Sequence, residues 1–395
     1  MNNTTNTPLL DAIGTNNGIG FEWGTSNSPI SLLKTMIGNN QQSYHLPTGA
    51  GVKTPAAEIT FLSAPSTVGI GFYGGVLALN GKIYTIPYDN LQVREIDPEN
   101  NSSKIFGGSI SATSNKYVGG ALASNGLIYA MPKTAAKILE INPYTKSVVE
   151  IAFDPPLIGS FKGTVGHPNG KIYGMNFATS AGNFIEFNPI TKAVSYFGNV
   201  GSNQFCGGVV APNGHIYAIP EIGSGNIVAK LDVYNKTVTE LPYPSSAGTN
   251  KWMGGVLAPN GKIYCVPNDA VDILVIDTLS DTFYKIPCSG AAGKYNGGAL
   301  APDGFIYCMP DGANNSPTTQ GKIMLRINWT NDTWDTILIP LAAIPDSQST
   351  ALAGAIVTPS GKLVGIPQSN DNAVILNFNT PIDSDVCLSS VVNKF

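Results

Sequence analysis

The sequence predicts an all-β fold: a seven-bladed β-propeller of four-stranded blades, closed by an N-terminal strand and preceded by an N-terminal arm. Three observations carry this. A glycine closing an Asn-Gly, Asp-Gly or Ser-Gly turn recurs at Gly81, Gly126, Gly170, Gly214, Gly261, Gly304 and Gly361, in steps of 45, 44, 44, 47, 43 and 57 residues. A second glycine stands seven residues before each, at Gly74, Gly119, Gly163, Gly207, Gly254, Gly297 and Gly354. Two residues before that lies an aromatic in six copies (Phe72, Tyr117, Phe161, Phe205, Trp252, Tyr295), with Leu352 in the seventh. A period near 45 with short apolar strands is the pattern of radial blades.

Each copy reads as four strands. In the fifth these are residues 255–258, 262–266, 272–277 and 282–286. Pro259-Asn260-Gly261 supplies the positive φ of a tight hairpin, and Leu279-Ser280-Asp281 does similar work between the third and fourth strands. Ile-Tyr follows the turn in six copies, from Ile83-Tyr84 to Ile306-Tyr307, and Leu363-Val364 replaces it in the last. Proline then ends the second strand at Pro87, Pro132, Pro220, Pro267, Pro310 and Pro367, with Asn176 standing in once, because proline cannot donate to a ladder.

The repeats occupy residues 57–380. Residues 1–56 are expected to form an arm rich in Asn, Thr and Gly, with a short helix where Ser28-Pro29 precedes residues 30–37 and Gly38. Residues 58–62 lie as far before Phe72 as Val238–Leu241 lie before Trp252, so they read as a fourth strand without its first three. The last copy shows only three clear strands, and residues 58–62 fit its missing place. The rival for that place is residues 386–392; if the N-terminal strand wins, residues 381–395 are a tail. Extra length falls in residues 311–320 and 340–350, on the face where second-to-third and fourth-to-first connections meet. That is the face on which a partner would be read.

Charged residues make up 12% of the chain and the net charge is −4, which leaves no basic surface to steer nucleic acid. No stretch approaches 18 apolar residues, so no membrane insertion is expected. The opening Met-Asn-Asn-Thr-Thr-Asn lacks the basic and apolar regions of a signal peptide. Five cysteines without CxxC spacing and without such a signal point to reduced thiols, and Cys265 and Cys308 hold equivalent core positions.

The first-strand glycine, Asn-Gly turn and Ile-Tyr pattern resembles NHL-type and streptogramin-lyase-type propeller repeats over about 320 residues, and implies the same fold. The catalytic His and metal-binding acid of the lyase type cannot be matched here. The Trp-Asp ending of WD40 blades and the Tyr and Trp spacing of kelch are also missing. The low-charge, Asn- and Gly-rich repeats with a non-repeat arm are similar to propellers of phage and other virion components.

Among candidate functional residues, His45, His167 and His215 are the only histidines. The last two flank neighbouring turns and are expected to be surface or packed groups rather than metal ligands. The acids Asp89, Glu221, Asp269, Asp272, Asp311 and Asp371 lie on the ligand face, yet they seldom recur in register, as a Ca²⁺ cage would require; solvated loop acids are the expectation. Neither a cofactor nor a metal is implied. A Lys-aromatic pair at the top of the first strand repeats as Lys116-Tyr117, Lys251-Trp252 and Lys294-Tyr295, with Lys162 after Phe161. Such rings and donors are suited to stack on sugars or hold small anions, or the rings are wedged between blades and stabilise by burial. These eight residues are the candidate ligand-binding set.

The expected function is non-catalytic: binding of other proteins, through the arm among other surfaces, and of host glycans, within a larger assembly such as a virion or tail. The virion is then its location, with the cytoplasm the alternative. Two other functions stand beside it, a metal-dependent lyase or lactonase-type propeller enzyme and a bacterial cell-surface binding module.

Overall fold

The computed structural model describes residues 58–63, 71–108, 110–178, 182–223, 225–288, 295–311, 323–339, 351–368 and 372–378. The arm with its expected helix, the loops 312–322 and 340–350, and the tail lie outside the described residues, as do Lys294, His45, Asp371 and Cys387. The described residues form seven four-stranded antiparallel sheets and contain no helix.

Blades one to six each use consecutive strands. In blade one these are Phe72–Leu77, Ile83–Pro87, Val93–Asp97 and Ser102–Phe106; in blade five, Trp252–Leu257, Lys262–Pro267, Asp272–Asp277 and Thr282–Pro287. Blade seven is completed as expected by the N-terminal strand: Glu58–Leu62 pairs antiparallel with Ala373–Asn377, Thr60 opposite Ile375. Ile59 and Phe61 pack onto the core that blades five, six and seven share. An otherwise open edge is thereby paired.

The first and second strands are buried nearly throughout, whereas fourth strands such as Val194–Phe197 are mostly half-buried and Thr237–Pro242 is largely exposed. The core therefore lies between adjacent blades. One recurring distortion positions everything at the axis. In six blades the ladder between first and second strands shifts register around the first-strand glycine, as between Phe72, opposite Pro87, and Gly75, opposite Thr85. The extra residue is a bulge, and it needs a glycine: Gly74 has φ 79° and Gly254 φ 80°.

Adjacent blades are latched at the opposite end. The second-strand tyrosine of blade two, Tyr129, accepts from Asn125 Nδ2 of its own turn (2.9 Å) and donates to Glu140 (2.8 Å). Lys192, from the third-to-fourth turn of the next blade, reaches both Tyr129 and Glu140. Lys146 does the same for Tyr84 and Glu95, and Lys236 reaches Glu186 beside Tyr173. In blade four the charges are reversed: Lys230 lies on the blade's own third strand, and Asp281 comes from the neighbour. Each latch residue holds positive φ, from 55° at Asp281 to 62° at Lys146 and Lys192.

Candidate functional site at the mouth of the axial channel

The bulge turns the residue before each first-strand glycine toward the axis. The seven equivalents are Tyr73, Val118, Lys162, Cys206, Met253, Asn296 and Ala353. Their contacts cross the ring. The Tyr73 hydroxyl of blade one donates to Asn296 Oδ1 of blade six (2.8 Å) and lies 3.2 Å from the Met253 sulfur of blade five; side chains from these blades meet only on the axis. Tyr73, Val118 and Ala353 pack together, as do Cys206 and Met253. This layer closes the channel. Behind it the channel is lined by glycines, among them Gly74, Gly119, Gly254, Gly297 and Gly354.

A second layer stands in front of it, supplied by the residue after each second-strand proline or its substitute: Tyr88, Lys133, Phe177, Glu221, Asn268, Asp311 and Gln368. Lys162 Nζ donates to Glu221 Oε1 at 2.6 Å, with side-chain exposures of 7% and 2%. Burial works against the Lys162 ammonium, but Cys206 and the Glu221 carboxylate together outweigh it, and the pKa is raised. Glu221 Oε2 is buried with no hydrogen-bond partner. Asn268 Nδ2 donates to the Tyr295 carbonyl (3.0 Å) and to Asp311 Oδ2 (3.1 Å).

Lys133 is the exception in this layer. It is half-buried, and among the described residues its Nζ donates only to the Tyr88 hydroxyl at 3.3 Å. It sits 5.3 Å from the Tyr88 ring centroid and 5.4 Å from that of Phe177; Lys162 Nζ is 5.0 Å from the same Phe177 ring. Burial and the neighbouring Lys162 charge lower the Lys133 pKa. Burial raises the Tyr73 and Tyr88 pKa values and pushes the Cys206 thiol up to about 12, so these groups stay protonated near neutrality.

The candidate ligand-binding set is dispersed by this geometry. Tyr117, Phe161, Trp252 and Tyr295 are buried in the interfaces between blades. Tyr117 donates to Glu150 Oε1 (2.9 Å) and Trp252 Nε1 to the Asp272 carbonyl (2.9 Å). None presents a ring face to a ligand. Lys116 and Lys251 are also buried, bonded respectively to the Thr113 carbonyl and to Gly223 and Asn226. Among the described members of the set, Lys162 alone occupies a mouth-lining position. Tyr73, Tyr88, Lys133 and Phe177 were missed by sequence reasoning, although their columns were readable: one residue before the glycine, one after the proline.

The other sequence candidates are committed to structure. His167 is packed at the turn end, where Nδ1 accepts from Asn169 N (3.1 Å), Nε2 donates to the Gly214 carbonyl (3.0 Å), and burial lowers its pKa. Asp89 accepts from Asn115 N (2.7 Å), Asp269 from Asn250 N (3.1 Å), and Asp272 from Ser246 while pairing with Lys285. Among the described residues no group of three or more His, Cys, Asp or Glu is placed to hold a metal ion.

The face at the turn end carries a second feature. The residue two before each latch position is large, apolar and exposed in four consecutive blades: Tyr144 (57%), Ile190 (65%), Tyr234 (57%) and Leu279 (96%). The same position holds Glu99 in blade one and Thr330 in blade six.

No protein-family model and no curated protein sequence matches the chain. Solved structures match its fold. Virginiamycin B lyase from Staphylococcus aureus, in a catalytically inactive form with quinupristin, superposes with a TM-score of 0.66 at 13% identity, covering 81% of this chain and 99% of that one. Hydrazine synthase from Kuenenia stuttgartiensis gives 0.61 at 10% identity, over 79% and 96%. YCF48 bound to D1 peptide gives 0.60 at 11% identity, over 83% and 98%. At such identities the shared property is the seven-bladed propeller.

Proposed function

We propose that this chain is a non-catalytic binding propeller that docks onto a protein partner within a larger assembly, through the arc formed by Tyr144, Ile190, Tyr234 and Leu279. The arc is the observation that carries the proposal. A turn of this kind has no structural need for an apolar side chain, since Glu99 and Thr330 serve in blades one and six. Four consecutive exposed apolar side chains on one face make an interaction surface. Fully burying one such side chain contributes about 1.5–3 kcal/mol, so even partial burial of four holds a partner.

The neighbouring lysines Lys146, Lys192 and Lys236 are each paired with a glutamate. The arc therefore offers apolar contact without uncompensated charge, which suits a protein surface rather than a nucleic acid. That one fold neighbour is bound to a peptide is compatible with this use of a propeller. The low charge content, 12%, supports a virion or tail component as the assembly.

The test is the double variant Ile190→Asp/Leu279→Asp, expressed in place of the wild type. It is expected to fold, with an unchanged circular dichroism spectrum, and to be lost from particles that retain the wild-type chain. Incorporation of the variant at the wild-type level would overturn the proposal. So would a wild-type chain that dimerises by itself while the variant is monomeric, because the occupant would then be a second copy.

A further inference from the structure

The mouth of the channel lies at the other end of the molecule, and its chemistry is independent of the apolar arc. We propose that Lys133 and Tyr88 form a binding site for the carboxylate of a ligand whose adjoining apolar part rests on Phe177. The argument begins from an imbalance. Lys162, one blade away, has a carboxylate at 2.6 Å. Lys133 Nζ has none within ion-pair distance among the described residues, only the Tyr88 oxygen at 3.3 Å. A half-buried ammonium served by one long bond to a phenol is under-satisfied.

Tyr88 completes the donor pair. Its oxygen accepts from Lys133, which leaves its own proton free to donate outward. An oxyanion placed between them receives one ammonium N–H and one phenol O–H, both charge-assisted bonds. Phe177 stands 5.4 Å from Lys133 and is half-buried, so part of its surface remains for an apolar group carried by the same ligand.

Charge decides which oxyanion fits. Lys133 and Lys162 bring two positive charges, while Glu221, Asp311 and the exposed Asp89 bring three negative ones. The surroundings carry no excess of positive charge, so a monoanion such as a carboxylate is accommodated better than a phosphate dianion. The lowered Lys133 pKa agrees with this: a bound carboxylate restores the ammonium that burial disfavours.

The full chain is titrated by calorimetry with N-acetylphenylalanine, its C-terminal amide and 3-phenylpropionate. At least one acid is expected to bind, with the amide at least tenfold weaker. Lys133→Met is expected to lose at least tenfold, Lys133→Arg to recover part of it, and Lys171→Met, at the turn end, to change nothing. Affinity falls as pH rises toward the ordinary lysine range. Tighter binding of the acyl amino acid assigns the site to a polypeptide C-terminus; tighter binding of 3-phenylpropionate assigns it to a small free acid. Absence of binding by both acids to the wild type overturns the proposal, as does equal binding of acid and amide, or a Lys133→Met chain that melts like the wild type and still binds the acid.

Discussion

Replacing Lys162 by Met tests whether the mouth is held together as described. At 2.6 Å the attraction between Lys162 and Glu221 is about 6 kcal/mol at an effective dielectric near 20. Removing two ions from water costs several kcal/mol each, so the intact pair is close to neutral in its net contribution. The single variant is not neutral. Glu221 Oε1 receives its bond from Lys162 and Oε2 already lacks a partner, so Lys162→Met leaves a buried carboxylate with neither oxygen bonded. The expected loss is about 3–5 kcal/mol. Methionine keeps the stem, so packing on Phe177 changes little. The double variant Lys162→Met/Glu221→Leu removes both charges and is expected to lie within about 1 kcal/mol of the wild type. Urea denaturation followed by near-ultraviolet circular dichroism reads all three chains. The pair also has a pH signature. The folded pKa of Lys162 is raised above its ordinary value of 10.5, so its contribution is fully present below that value and is lost as pH rises through the folded pKa; the double variant lacks this alkaline loss. A single variant costing under about 1 kcal/mol, or a double variant no better than the single, would refute the buried-pair description.

Tyr129→Phe removes the hydroxyl at the centre of a latch between blades two and three and is expected to cost about 1–3 kcal/mol, whereas Tyr144→Phe, with its ring exposed, is expected to leave the thermal midpoint unchanged. Gly174→Ala puts a Cβ 2.5 Å from Ile185 Cγ2 and 2.9 Å from Met131 Cγ, an overpacking worth about 1–3 kcal/mol; a midpoint equal to the wild type's would contradict the packing described. Acid titration addresses Glu95 and Glu186. Burial opposes their charge, but hydrogen bonds from Lys146, Lys82 and Tyr84 to the one, and from Lys171, Lys236 and Tyr173 to the other, hold both pKa values below the ordinary 4.5. Their contribution is present above 4.5 and is lost as pH falls through the folded values, and Lys146→Gln should flatten that acid slope.

The ring and its closure were legible in the sequence because glycine and proline state backbone requirements directly. Gly74 and Gly81 hold positive φ, and Pro87 ends its strand, and these demands recur at a fixed spacing. The mouth was not legible, for two reasons. A strict period of two groups Phe72 with Gly74 on one face of its strand, and the register shift at that glycine alters the alternation beyond it. In addition, the seven axial residues share a position but no chemistry: Tyr73, Val118, Lys162, Cys206, Met253, Asn296 and Ala353 spell no motif. The repeated aromatic recurs because every interface between blades needs the same wedge, as Trp252 against Tyr243 at 5.3 Å shows. A residue that recurs in every blade is most readily explained by the contact that every blade makes; a binding site on the axis is composed of the residues that do not recur.

The same logic accounts for the exceptions within the repeat. The second-strand tyrosine meets a residue from the next blade's third-to-fourth turn, so its usefulness depends on that turn existing. Blade seven has no such turn, because its fourth strand is the N-terminal Glu58–Leu62. Its predecessor's tyrosine, Tyr307, accordingly turns to its own blade, donating to Asp303 Oδ2 at 2.7 Å and standing 5.6 Å from the Phe378 ring. Asp303 is also the one turn where aspartate replaces the usual Asn or Ser before glycine. On the other side of the seam, blade seven carries Val364 in place of tyrosine. Facing it, blade one carries Asn101 at the latch position rather than Lys or Asp, and the connection passes to Lys362, which donates to the Pro98 carbonyl at 2.7 Å and pairs with Glu99. Both departures from the pattern flank the blade in which the two ends of the propeller chain meet. The irregular copies thus mark the seam independently of strand pairing, and they place the closure where residues 58–62 lie against residues 373–377.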